Sequence, residues 1–290
     1  RRIIMFIMTI GIPAAGKSEY YKKNYQNDEN MVYLSSDRLR EEILGDVNDQ
    51  SKNSIIFDEM HKRTIQALKE GKSVYYDATN LNRKKRINFL KQLPSDCPKI
   101  AIVFAIPFEI CIKRNNTRDR HVPLEVMERM YRRFQPPYYV EGFSKIIVVP
   151  HSNPEEVESL QKLLSLNCKC SHDNPHHTLS CGDHCIAAAD YVKNNFTSFS
   201  EDIQRILYTA ALWHDIEKFK CKSFDNKGIA HYFNHEKISA YDYLCQKSLY
   251  EADTNELITI ANLIENHMIF YLDDNGKNKV RKLYGEDFWV

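Results

Sequence analysis

Two textures of apolar and polar positions divide the chain. Over roughly the first 150 residues, short apolar runs are separated by stretches whose apolar positions fall three and four apart, the spacing of one helix face. The runs Ile3–Ile10, Met31–Ser35, Ser73–Tyr76, Lys99–Ala105 and Ser144–Val149 read as strands. Between them, Glu19–Gln26, Arg38–Leu44, Ser54–Lys69, Lys84–Leu93, Phe108–Arg118 and Leu124–Phe134 read as helices. Gly71 closes the longest of these as a C-cap, and Asp119–Pro123 is a break. Such alternation predicts an α/β fold, a parallel sheet with helices on both faces. After Pro150 the strands stop. Pro154–Leu166 reads as one amphipathic helix, residues 167–177 are rich in Cys, His and Asn, and segments near 181–195, 200–214, 235–250 and 254–268 all read as helix. The expected organisation is therefore an α/β domain over 1–152, a helix and linker over 153–171, and an all-α domain over 172–290.

Composition narrows this only a little. With 290 residues the chain is long enough for two cores. A net charge of +1 selects neither nucleic acid nor a membrane as partner, so any such signal must be local. The eight cysteines sit at irregular spacings in a lysine-rich chain, which points to free thiols in a reducing, cytoplasmic setting. Arg1-Arg2 and the apolar run after them superficially resemble an export signal, but the run flows into a glycine loop without a small-residue cleavage site; a first strand is the better account. No apolar run approaches the length that spans a bilayer.

Candidate chemistry changes the picture more. Gly11-Ile-Pro-Ala14-Ala15-Gly16-Lys17-Ser18 follows the first strand and opens a helix, the setting in which backbone N–H groups and a helix dipole cradle a polyphosphate. Gly11 and Gly16 let the backbone approach, Lys17 reaches the β- and γ-phosphates of ATP, and Ser18 can hold Mg²⁺. Asp37 and Asp77 fall at the carboxyl ends of the second and third strands, where ligands of parallel sheets bind. From there Asp37 can take the proton of an attacking hydroxyl, or simply cap a helix. Asp77 can support the metal or the loop. Lys113–Arg133 holds seven Lys/Arg against three Asp/Glu, with Arg114 and Arg118 one turn apart, as expected of a lid over a triphosphate or of a solvated helix face. Tyr131, Phe134, Tyr138 and Tyr139 beside it suit base stacking and core packing equally.

These motifs together carry a resemblance. Gly11–Ser18, Ser36-Asp37-x-x-Arg40, Asp77-Ala-Thr-Asn-Leu-Asn82 and Arg114-Asn-x-x-Arg118, followed by Val122-Pro123 and Met130-Tyr131, resemble phage-type 5′-hydroxyl polynucleotide kinases in order and spacing over about residues 3–150. The resemblance implies that Lys17 and Ser18 serve ATP and Mg²⁺, that Asp37 is the general base, that Arg40 binds the acceptor phosphate, and that Arg118, with Arg114 nearby, stabilises the transferring phosphoryl group. Asp77 would support the site. Ser36 stands where relatives carry a charged residue, which leaves DNA and RNA acceptors both open.

In the helical part, His214-Asp215 ends an apolar helix, His177 opens one segment, His235-Glu236 opens another, and His267 closes a third after Glu265-Asn266. Imidazoles and a carboxylate gathered from separate helices suit a divalent transition metal. The set His177…His184, His214-Asp215-Ile-Glu-Lys218, His235-Glu-Lys-Ile and Glu265-Asn-His267-Met resembles the HD phosphohydrolase superfamily, including the domain attached to tRNA nucleotidyltransferases. It implies His177, His214 and Asp215 around a first metal (Mn, Ni, Co, Fe or Zn) and His235 and His267 around a second, with Lys218 on the same phosphate. Glu217 stands where relatives often have Gly. A late aspartate is also implied, with Asp273, Asp274 and Asp287 as candidates. Cys168, Cys170, His172, Cys181 and Cys185 lack zinc-site spacing and read as ordinary thiols. The joint expectation is an ATP-dependent kinase of nucleic-acid 5′ ends, RNA favoured, fused to a phosphohydrolase of 3′-phosphate or 2′,3′-cyclic phosphate ends, with a separate ligase as possible partner. The alternative is a small-molecule kinase fused to a nucleotidase.

Overall fold

The computed structural model describes residues 3–173, 178–250 and 253–284. The chain divides into two compact units: the first takes residues up to Phe104, Cys111–Val122 and Pro137–Val149, and the second takes Ala105–Ile110, Pro123–Pro136 and Pro150 onward.

The first unit is built on β1 (Phe6–Ile10), α1 (Lys17–Tyr25), β2 (Met31–Ser35), α2 (Ser36–Leu44), α3 (Asn53–Lys69), β3 (Ser73–Asp77), α4 (Arg83–Leu90) and β4 (Lys99–Ala105). α5 (Phe108–Thr117), α6 (Leu124–Tyr131) and β5 (Lys145–Pro150) follow in the chain. The five strands form one parallel sheet in the order β2-β3-β1-β4-β5. β1 sits at its centre, with Ile7 opposite Tyr75 on one side and Ile100 on the other. All five β1 residues are buried, which is why the run is apolar without alternation. The strand is shorter than the apolar run, because Ile3 and Ile4 precede the ladder and are exposed. β3 extends one residue further than expected, to Asp77, because Ser35 pairs with it across the β2–β3 register.

In the second unit the order is α7 (Leu160–Cys168), α8 (Cys181–Asn195), α9 (Glu201–Trp213), α10 (Lys218–Cys221), β6 (Ser223–Phe224), β7 (Ala230–His231), α11 (His235–Lys247), α12 (Thr254–Asn266) and α13 (Asp274–Tyr284). Trp213, Ile238, Tyr241, Leu244, Ile258, Ala261 and Ile264 are buried in its core. Two sequence expectations are corrected here. Pro154–Leu166 is not one helix: Pro154–Glu156 is a single 3₁₀ turn, Val157 is extended, and Ser159 caps a new helix by accepting from the Lys162 N–H at 3.3 Å. The unit is also not free of strands, since β6 and β7 form a two-residue antiparallel hairpin. Of the two readings open for Tyr131 and Phe134, core packing holds: both are buried, and Tyr131 stacks on Phe108 at 4.5 Å and donates to Asp242 at 2.5 Å.

Among the described residues no helix is long and apolar enough to cross a membrane. Among the described residues none of the eight cysteines forms a disulfide.

Candidate functional site

The first site is assembled where β1 runs into α1. Gly16 lies at φ +95°, a conformation that L residues rarely adopt, and a Cβ on Gly11 would stand 3.0 Å from the Phe104 Cβ. Ala14 also has positive φ, at 62°. α1 begins at Lys17 with no side-chain cap, so its N-terminal N–H groups and dipole face the loop's concavity. Lys17 donates its ammonium to the Gly11 and Ile12 carbonyls at 3.1 and 2.8 Å. Burial lowers its pKa, opposed by the charges of Asp77 and Asp37. A phosphate offers the same ammonium a stronger, charged partner than two neutral carbonyls.

Asp77 is buried at the end of β3 and accepts from the Ser18 hydroxyl at 3.0 Å and the Tyr33 hydroxyl at 2.6 Å. Burial and the adjacent Asp77 push the Tyr33 phenol well up, so it stays a donor. Asp77 thereby aims the side chain that could hold Mg²⁺. Sequence reasoning missed Tyr33; within β2 it reads as an ordinary strand aromatic.

Asp37 sits in the first turn of α2 with its carboxylate half exposed and a guanidinium on each oxygen. Arg40 reaches Oδ1 at 2.9 Å and holds Asn53 with its other nitrogen at 2.8 Å, while Arg120 pairs with Oδ2. Arg40 is buried; Arg120 was not anticipated. The Arg114 guanidinium lies 3.8 Å from where a Gly16 Cβ would stand. Arg118 donates to Asn115 Oδ1 at 2.9 Å. Burial and the neighbouring Arg120 lower the Arg118 pKa, and Lys17 in turn senses Arg118. Lys17 thus senses the charges of Asp77, Asp37 and Arg118, Ser18 pairs with Asp77, and Arg114 lies beside Gly16, which gathers these side chains around the glycine loop.

The second site is centred on Asp215, buried just past the end of α9. Its Oδ2 lies 3.1 Å from His214 Nε2, 3.5 Å from His184 Nε2 and 2.7 Å from Lys218 Nζ. On the other side, Oδ1 lies 2.9 Å from His235 Nε2 and 3.4 Å from His267 Nε2. His184 and His214 face each other through Nε2 at 3.1 Å, as do His235 and His267. His214, His235 and His267 each contact the carbonyl three residues back through Nδ1, at 2.6, 2.6 and 2.7 Å. A carbonyl only accepts, so each Nδ1 carries a proton, and in the neutral form of each ring Nε2 is then left with a lone pair turned inward. Lone pairs facing lone pairs around a carboxylate fit a cation. His184–His214–Asp215 and Asp215–His235–His267 are the two groups, among the described residues, with metal-ligand geometry.

His177 lies outside the described residues, as does Asp287; His184 is the histidine brought to His214. Asp273 accepts from the Gly276 N–H at 2.7 Å, at the start of α13. Among the described residues the cysteine-rich stretch forms no third group.

Residues 6–137 match the AAA domain family. L-seryl-tRNA(Sec) kinase of Methanococcus maripaludis is 28% identical over 171 residues, 56% of this chain and 66% of that protein. Transcription factor bHLH140 of Arabidopsis thaliana is 28% identical over 148 residues, 49% of this chain and 15% of that protein. The chain thus spans under two thirds of the length of either. Among solved structures, a chain of the Pnkp1/Rnl/Hen1 RNA repair complex has a TM-score of 0.41 at 20% identity, covering 45% of this chain and 43% of that one. A fungal RNA kinase has a TM-score of 0.40 at 16% identity, covering 72% of this chain and 97% of that one. The match over residues 6–137 takes in the sheet strands β1 to β4 and the glycine loop between β1 and α1.

Proposed function

We propose that the chain is an ATP-dependent 5′-hydroxyl polynucleotide kinase joined to a metal-dependent phosphohydrolase of 3′-phosphate or 2′,3′-cyclic phosphate ends. The observation that carries the first half is the gathering of the Ser18–Asp77 pair and the half-exposed Asp37 around Lys17, which senses both carboxylates. Lys17 exchanges its loop carbonyls for the β- and γ-phosphates. Asp37 accepts the proton of the attacking 5′-hydroxyl as the new P–O bond forms and the bond to the ADP leaving oxygen breaks. Arg118 and Arg114 carry the charge that builds on the equatorial oxygens, and Arg40, paired with the base at 2.9 Å, binds the acceptor phosphate. Ser18, aimed by Asp77, would hold Mg²⁺, which neutralises phosphate charge during transfer. RNA is favoured because 5′-hydroxyl and cyclic phosphate ends are what RNA cleavage leaves. The Methanococcus relative, named as a kinase of L-seryl-tRNA(Sec), supports a hydroxyl acceptor carried on RNA.

For the second half, His184, His214, Asp215, His235 and His267 would hold one or two transition-metal ions, which supply hydroxide near neutral pH and clamp a phosphate for in-line attack. Lys218, within 2.7 Å of Asp215, stands where it can pair with the same phosphate. The two reactions leave ends that a separate ligase can seal.

The test is an end-healing assay on cleaved RNA bearing 5′-hydroxyl and 2′,3′-cyclic phosphate termini. The reading expects ATP-dependent 5′ phosphorylation and ATP-independent, metal-dependent loss of the terminal phosphate. Labelling of nucleosides or sugars but never of oligonucleotides would replace it with a small-molecule kinase.

A further inference from the structure

We propose that the exposed face of α13, with the aromatic turn before it, binds the single-stranded polynucleotide whose 3′ end enters the Asp215 site, an inference that rests on the phosphohydrolase reading above. The side chains of His184 and His267 are 32% and 18% exposed, against 5% for His235 and 3% for Asp215, so the site opens to solvent on the side of His184 and His267. His267 begins a short 3₁₀ helix, His267–Tyr271, that leads into α13. Met268, Tyr271 and Leu272 are exposed there, Tyr271 at 80%. Beyond them the solvent-exposed residues of α13 are Asp274, Asn275, Asn278, Lys279, Arg281 and Lys282, which share one side of the helix. Half-buried Lys277 lies at the edge of that side, so the helix sets four cations against a single carboxylate.

This ledge is fastened at both ends. Buried Tyr284, in the last turn of α13, donates its hydroxyl to Asn262 at 2.9 Å and accepts from the Asn266 amide at 3.1 Å, which ties that turn beside His267. At the near end the Gly276 N–H donates to Asp273 at 2.7 Å, and a Cβ on Gly276 would stand 2.9 Å from the Leu272 Cβ, so glycine lets the helix start close against the turn before it. Cations in a last turn also favour the helix dipole, which accounts for Arg281 and Lys282. The dipole accounts neither for Lys277 and Lys279 a turn earlier nor for the exposed ring of Tyr271. A single strand presents what both features take: base faces that stack on an aromatic ring, and phosphates that pair with cations along about 16 Å of helix. A duplex hides its base faces, and an acidic partner would use the cations and leave the ring idle. The direction also fits, since the exposed ring follows His267 at the mouth and the cations lie further out, as the body of a strand lies beyond its end.

The experiment follows release of the 3′-phosphate by the full chain at several salt concentrations, from a single-stranded RNA oligonucleotide whose 5′ end is already phosphorylated and from a 3′-nucleoside monophosphate. Lys279→Gln/Lys282→Gln should raise the oligonucleotide KM roughly tenfold near 0.15 M salt and make its plot of log(1/KM) against log[salt] shallower by about 1.4, two phosphate contacts at about 0.7 each. The same pair should keep the wild-type KM for the mononucleotide and the wild-type metal content. Tyr271→Ala should raise the oligonucleotide KM about fivefold or more without changing the slope, and Tyr271→Phe should restore it, because stacking uses the ring and not the hydroxyl. Independently of activity, with the metal chelated, a 4-thiouridine next to the 3′-terminal nucleotide should photocrosslink within residues 267–284. An unaltered oligonucleotide KM or salt slope in the lysine pair, an equal loss on the mononucleotide, a Tyr271→Phe variant no better than Tyr271→Ala, or no crosslink within 267–284 would overturn the inference and leave the phosphohydrolase reading intact. A wild-type chain that frees phosphate from neither substrate with Mn, Ni, Co, Fe or Zn would overturn both.

Discussion

The two candidate sites keep their charges in opposite ways. In the cleft of the first unit, ionic groups have protein partners: Lys17 leans on Gly11 and Ile12, Asp77 accepts from Ser18 and Tyr33, and Asp37 is flanked by Arg40 and Arg120. Around Asp215, two pairs of imidazole nitrogens face each other at 3.1 Å. The first arrangement is complete without ligand and exchanges partners when one arrives. The second gathers four imidazoles on one carboxylate, with Lys218 at 2.7 Å from its Oδ2, in a geometry that could hold a metal ion. The difference teaches what a ligand must do at each: at the first site it must outcompete the partners already made, and at the second a cation would draw on nitrogens that already face one another.

The contrast can be broken most decisively at Asp215. Replacing it by Ala removes both oxygens that join the two ligand groups, so transition-metal content by elemental analysis should fall from one or two ions per chain to near zero. Equal metal content in the two proteins would mean that the cage is elsewhere. In the first unit Lys17→Ala should lower the rate of phosphoryl transfer roughly a hundredfold or more while leaving that metal content unchanged; a variant with full activity would contradict the cradle. Tyr33→Phe should be milder, about 1 kcal/mol and hence several-fold in the Mg²⁺ concentration for half-maximal rate, since Asp77 keeps Ser18 and loses one donor. Unchanged Mg²⁺ dependence would remove Tyr33 from the account.

The smallest effect is on stability. Lys220 faces two carboxylates, Glu217 at 3.0 Å and Asp242 at 3.1 Å, and burial together with Asp242 pushes the Glu217 carboxyl well above its usual range. A group whose pKa is raised on folding stabilises below its unfolded pKa and loses that contribution as pH rises towards the folded value. Thermal stability should therefore decline from mildly acidic to neutral pH, and Glu217→Gln should flatten that part of the decline. The same slope in the variant would assign it to other groups.

Much of this was legible in the chain. A glycine loop between a buried strand and a helix admits few readings, and aspartates at the ends of Met31–Ser35 and Ser73–Tyr76 fall at the ligand-binding edge of a parallel sheet by topology alone. His214-Asp215, His235 and His267 were legible as a group because each stands at a helix end. What could not be read were contacts with no local signature. Tyr33 looks like a strand residue until the β2–β3 register brings its hydroxyl to Asp77. Arg120 looks like one more charge in a basic segment until its clamped loop crosses to Asp37. His184 lies one turn into α8, and only the packing of α8 on α9 carries it to His214.

The central claim is that a phosphate held at Lys17 passes to a hydroxyl whose proton Asp37 takes. It is tested most directly by mixing γ-labelled ATP with a 5′-hydroxyl oligonucleotide and comparing the full chain with Asp37→Asn. The account expects label on the 5′ end with the wild-type chain and a rate lower by about a hundredfold or more with Asp37→Asn, nucleotide binding being retained. Equal labelling by both, or none by the wild-type chain, would contradict it.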